Sequence, residues 1–141
     1  FGMFMPDGRE TESIDVMHYV WNGSWPDNRT PRINTFSLES KVATDNIKLK
    51  SGEKYTAVID VTDPDNDALT YRWEIMQESK TAATGGDAEE VPAKIDGVIS
   101  SEPGATVEFL APKEEGAYRL FIYVDDPNDH TAHANIPFYV N

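Results

Sequence analysis

Cysteine is missing from this 141-residue sequence. That excludes a disulfide framework and a thiolate nucleophile, and leaves the redox compartment undetermined. Basic residues are scarce: 12 Lys and Arg stand against 25 Asp and Glu, for a formal charge of -13. Nucleic acid and anionic membrane surfaces attract basic patches, so both are disfavoured as partners, whereas cations and neutral glycans are not. Long apolar runs are also lacking. None approaches the roughly 18 residues of a membrane span, and no charged-then-apolar leader opens the chain. The first residue is Phe1 rather than Met, which reads as a processed end or a cut made in a longer protein. No phosphate-cradling Gly-rich motif, nucleophile elbow or metalloprotease helix occurs, so independent catalysis is not expected.

What is present is alternation. In YTAVIDVTDPDNDALTYRWEI, Tyr55, Ala57, Ile59 and Val61 alternate with their neighbours, as do Leu69, Tyr71, Trp73 and Ile75. Period 2 is the signature of half-buried strands, and the intervening DPDND favours a turn. The stretch predicts a β-hairpin with an acidic tip. Further strands are expected at Asn34 to Leu38, Ile47 to Leu49, Ala105 to Leu110, Tyr118 to Val124 and Ala132 to Val140. Seven short strands separated by turn signals predict an all-β, immunoglobulin-like sandwich. Glu114-x-Gly116-x-Tyr118-x-Leu120 resembles a tyrosine corner, with Leu120 where antibody domains place their second core cysteine and Trp73 where they place the core tryptophan. Trp73 and Leu120 are expected to meet across the two sheets. The Asp-Pro-Asp turn before an aromatic strand also resembles PKD and cadherin-like modules.

The first 31 residues differ. Ile14, Met17, Val20 and Trp21 have helical spacing, Thr11 or Ser13 is placed to cap the helix, and Asn22-Gly23 ends it. Pro26 and Pro31 then favour extended backbone. The expected division is residues 1–31 as a short helix and Pro-bearing connector, and 32–141 as the sandwich. Trp21, Gly23, Trp25, Pro26, Asn28, Arg29 and Pro31 resemble the passage by which bacterial family 2-type glycoside hydrolases leave their (β/α)8 barrel for a C-terminal sandwich. The resemblance implies that residues 1–31 are the tail end of such a barrel. It also implies a non-catalytic accessory module that packs on or positions the barrel, in a secreted, periplasmic or cell-surface bacterial protein.

Three groups of residues carry candidate chemistry. Asp63, Asp65 and Asp67 sit in one turn and Asp125, Asp126 and Asp129 in another. In an immunoglobulin-like topology these loops share one end of the sandwich, where six carboxylates would suit calcium, a hard cation bound by oxygen. Solvated turns explain the same composition, because Asp, Asn and Pro favour turns for backbone reasons. His130 and His133 are an odd number of positions apart, which on a strand points them to opposite faces, so ordinary surface histidines are expected. Trp21, Trp25, Phe121, Tyr123 and Tyr139 suit either stacking on a glycan or packing against a neighbouring domain. A second reading of function follows: an independent glycan- or protein-binding module at the cell surface. The long insert from Gln77 to Gly104, with a short strand expected within Lys94 to Ile99, allows a third, an enzyme site that borrows this loop. Its adjacent Glu89 and Glu90 point apart on extended backbone and make no acid/base pair.

Overall fold

A computed structural model describes residues 2–79 and 92–141. One helix, α1 (Glu12–Asn22), precedes seven strands: β1 (Arg32–Leu38), β2 (Ile47–Leu49), β3 (Lys54–Thr62), β4 (Thr70–Gln77), β5 (Thr106–Leu110), β6 (Gly116–Asp125) and β7 (Thr131–Val140). They form two sheets, ordered β1-β3-β5 and β2-β7-β6-β4. All pairings are antiparallel except β2 with β7. The architecture is an all-β, immunoglobulin-like sandwich with an N-terminal helix.

The alternating residues meet between the sheets. Ala57, Ile59, Val107 and Phe109 line one inner face and Trp73, Ile75, Leu120, Ile122, Ile136 and Phe138 the other, all buried. Tyr118 joins them and its hydroxyl donates to the Glu114 carbonyl at 3.0 Å, completing the tyrosine corner.

Two expectations are corrected by the topology. β3 and β4 are not a hairpin, because β3 pairs with β1 and β5 while β4 pairs with β6. The segment 63–69 is an arch that carries the chain from one sheet to the other. Alternation reports which face of a strand is buried, not which strand lies beside it. For the same reason Trp73 and Leu120 do not face each other across the sandwich. They lie on neighbouring strands of one sheet, Trp73 beside Ile122 and Ile75 beside Leu120. Across the core Trp73 meets Phe36 edge to face, with centroids 5.7 Å apart, and its indole N–H donates to the Gly104 carbonyl at 2.9 Å.

Helix α1 ends where expected, with Gly23 in the left-handed region at φ 73° and its N–H bonded to the Tyr19 carbonyl. Its start is different. Thr11 makes no side-chain cap, since its hydroxyl donates instead to the carbonyls of Gly2 and Met3. The apolar stripe is split: Ile14 and Met17 are half-buried, Val20 and Trp21 are 70% and 74% exposed, and the one buried helix residue is Asp15. In the insert, Lys94 and Ile99 make isolated bridges to Met76 and Phe109 rather than a strand of their own. Glu89 and Glu90 lie outside the described residues.

Candidate metal site

The arch and the β6–β7 loop carry related pentapeptides, Asp63-Pro64-Asp65-Asn66-Asp67 and Asp126-Pro127-Asn128-Asp129-His130. They fold alike. Asp63 Oδ1 accepts the N–H groups of Asp65 and Asp67, both at 2.9 Å. Asp126 Oδ1 likewise accepts those of Asn128 and His130, at 2.8 and 2.9 Å. The fourth residue of each loop is left-handed, Asn66 at φ 61° and Asp129 at φ 64°, a conformation that Asn and Asp tolerate better than most residues. Each leading aspartate thus uses one oxygen to hold its own loop; the second oxygen of Asp63 is left without a partner, whereas that of Asp126 meets His130.

Between the loops the carboxylates of Asp63, Asp67 and Asp126 converge, each offering an oxygen within 4.8 Å of the others. Two like charges at about 4 Å repel by roughly 1 kcal/mol even with water-like screening. Only part of that charge is answered by the protein. Asp67 Oδ2 accepts the side-chain amides of Asn28 (2.6 Å) and Asn128 (2.9 Å). Asp126 Oδ2 lies 2.8 Å from Nδ1 of His130. Asp63 Oδ2 and Asn28 Oδ1 are shut away from solvent with no hydrogen-bond partner. Leaving a buried acceptor unsatisfied costs on the order of 1–3 kcal/mol. The site therefore presents three carboxylates, with Asp63 Oδ2 unanswered and a second unanswered acceptor on the Asn28 amide that bonds to Asp67. That is a donor set for a hard cation.

The other three candidate aspartates lie outside this trio. Asp65 accepts the backbone N–H of Arg29 at 2.7 Å. Asp125 accepts the Thr131 hydroxyl at 2.6 Å and lies 3.5 Å from the Arg9 guanidinium and 3.8 Å from that of Arg72. The carbonyl of Asp129 accepts the N–H of Glu10. Two further participants, Asn28 and His130, were not expected at the site. His130 is 8% exposed rather than a surface histidine, and His18 bonds to the Ser24 carbonyl through Nδ1. The repeated Asp-Pro pentapeptide was the signal that would have matched His130 to the position of Asp67. Asn28 comes from a distant connector and had no local signal.

The aromatic candidates fall in three separate places. Trp25 is sandwiched between Tyr19, with centroids 4.6 Å apart, and the Arg29 guanidinium, 3.9 Å from its ring centre, while Trp21 stays exposed. Phe121 and Tyr123 stack on the outer face of β6, with Arg72 4.4 Å from the Tyr123 centroid. Burial, followed by the nearby Glu74 carboxylate, pushes the Tyr123 phenol above its ordinary pKa. Tyr139 donates its hydroxyl to Glu115 at 3.0 Å.

No family model matches the chain, and no curated protein does. Among solved structures, the chain is similar to PcoC, a methionine-rich copper resistance protein from Escherichia coli. The identity is 14% and the TM-score 0.45, covering 79% of this chain and 99% of that one. It is also similar to the PmoD soluble domain from a Methylocystis species, at 12% identity and TM-score 0.41, covering 84% and 95%. With no family model or curated relative behind it, the glycoside hydrolase resemblance is not upheld, and with it fall the barrel as a partner, the accessory role and carbohydrate metabolism as the setting. The glycan-binding alternative has no support either. The residues that carried the resemblance have duties within this chain: Gly23 ends α1, Trp25 stacks on Tyr19 and Arg29, and Asn28 bonds to Asp67. Among the described residues no helix is long and apolar enough to cross a membrane. A metal ion is compatible with the trio of aspartates.

Proposed function

We propose that the chain is a non-catalytic, cation-binding β-sandwich module whose acidic end takes calcium. Residues 1–31 form an appended segment and 32–141 the sandwich proper. The observation that carries the reading is the pair of unanswered acceptors, Asp63 Oδ2 and Asn28 Oδ1, beside the carboxylates of Asp67 and Asp126. Carboxylate and amide oxygens suit calcium, magnesium or manganese, whereas copper(I) favours thioether and thiolate donors. In the described residues this trio is the one group of three or more His, Asp or Glu side chains within ligand range, and it contains no histidine. Calcium is favoured over magnesium because it accepts irregular oxygen sets contributed by loops. A secreted or periplasmic setting fits, since modules exposed to abundant calcium bind it weakly, with Kd on the order of 10⁻⁴–10⁻³ M.

Thermal melts of the purified chain in calcium chloride, magnesium chloride, copper sulfate and EDTA test this. Calcium at a few multiples of such a Kd should raise Tm, EDTA should return it to the metal-free value, and Asp63→Asn with Asp126→Asn should abolish the response. Equal melts in calcium and EDTA would sink the proposal. A response confined to copper would move the metal site away from these carboxylates.

A further inference from the structure

Several ties of the first 31 residues to the sandwich fall on the same two loops that carry the cation's carboxylates. Glu10 donates its N–H to the Asp129 carbonyl and accepts the N–H of Thr131, bridging alongside the β6–β7 loop. On the other side, Asn28 bonds to Asp67 and the Arg29 N–H to Asp65, both in the arch. Helix α1 itself packs broadly against no strand. It hangs between these ties, joined to the connector by the Thr30 N–H to buried Asp15 and to the start of β1 by the Glu12–Arg32 ion pair at 3.2 Å. Its eleven residues are too few to persist unsupported.

The unanswered polar atoms trace the same line. Among the described residues, every buried side-chain nitrogen or oxygen without a partner belongs to Asp15, Asn28, Arg29, Thr30 or Asp63. All five lie in α1, in the connector or in the arch that the connector touches. Among the described residues, the unanswered buried side-chain atoms thus lie along the N-terminal segment and the arch that it touches. Asn28 spans it: its Nδ2 must face Asp67, since a carboxylate only accepts, and this leaves Oδ1 as a free acceptor from the N-terminal side.

We infer that the cation acts as a staple, its binding coupled through Asn28 to docking of helix α1 and the 23–31 connector on the sandwich. The inference rests on the calcium reading above and adds the element that the ion controls. With the ion bound, the arch and the β6–β7 loop are drawn together and the ties at Glu10, Asn28 and Arg29 hold. Without it, three crowded carboxylates push the loops apart, and the N-terminal segment loosens.

Amide hydrogen exchange on the full chain, with calcium chloride or EDTA, read beside a calorimetric titration with calcium chloride, distinguishes the outcomes. At ten times Kd, openings that release the ion should become about tenfold rarer. Exchange should then slow by about that factor in 12–22 as well as in 63–67 and 126–130. Asn28→Ala, which leaves the core and the three carboxylates in place, should weaken calcium by about 10–100-fold and remove the protection of 12–22. Calcium heat with protection confined to the two loops would overturn the staple and leave the metal reading standing. Unaltered calcium protection of 12–22 in Asn28→Ala would also overturn it. Absence of both heat and protection would overturn the metal reading and the staple together.

Discussion

Trp73 shows how one side chain can be placed correctly in depth and wrongly in partnership. It is 7% exposed, as expected of the core tryptophan, yet its ring meets Phe36 and its N–H meets Gly104. Trp73→Ala removes both contacts and leaves a cavity, so it should cost about 3–5 kcal/mol in urea unfolding. A loss under about 1 kcal/mol would mean that the ring is not packed as described. Tyr118→Phe deletes the bond to the Glu114 carbonyl while keeping the ring, and about 1 kcal/mol should be lost in the same assay. His133 supplies a pH effect. Burial holds its pKa below the ordinary 6.5, so below that pH the unfolded chain takes up the proton first. Stability contributed by neutral His133 is present above pH 6.5 and is lost as pH falls towards the folded-state value. Thermal melts from pH 7 to 5 should decline, and less steeply in His133→Gln; equal slopes would refute the assignment.

At the level of elements, the boundaries of the seven strands and of α1 were largely written in period and punctuation. Asn22-Gly23 did end the helix, because only a residue without Cβ enters the left-handed region freely. Gly23→Ala meets no neighbour within 4 Å, so its effect isolates backbone strain. It should cost about 1–2 kcal/mol, appearing as reduced helical signal in circular dichroism rather than as core unfolding. An unchanged helical signal would show that the αL cap is dispensable. Which face of α1 docks was not legible. The apolar stripe of Val20 and Trp21 faces solvent while Asp15 is buried. Asp15 is held there by the Thr30 N–H, a tie made between residues 15 positions apart.

Across the whole molecule the formal charge is -13, and three of the carboxylates converge where the arch meets the β6–β7 loop. General salt should raise Tm gradually by screening, whereas a site-bound calcium ion should do so at far lower ionic strength and saturate. Sodium chloride matching calcium chloride at equal ionic strength would reduce the effect to screening. The six aspartates expected to share an ion divide three and three. Asp63, Asp67 and Asp126 converge, whereas Asp65, Asp125 and Asp129 serve the connector, the arginines and Glu10.

Residue order alone determined the fold class, the buried face of the central strands, the corner at Tyr118 and the Asp-rich character of two turns. Each follows from local rules of alternation, turn chemistry and spacing. Only the tertiary structure decided that β3 and β4 belong to different sheets, that Trp73 faces Phe36, and that Asn28 and His130 join the aspartates. Those pairings depend on which side the chain crosses after Asp63 and on contacts as distant as the 39 positions between Asn28 and Asp67. Period 2 repeats identically whether the next strand lies beside its predecessor or across the core, so the packing of the two sheets had to choose.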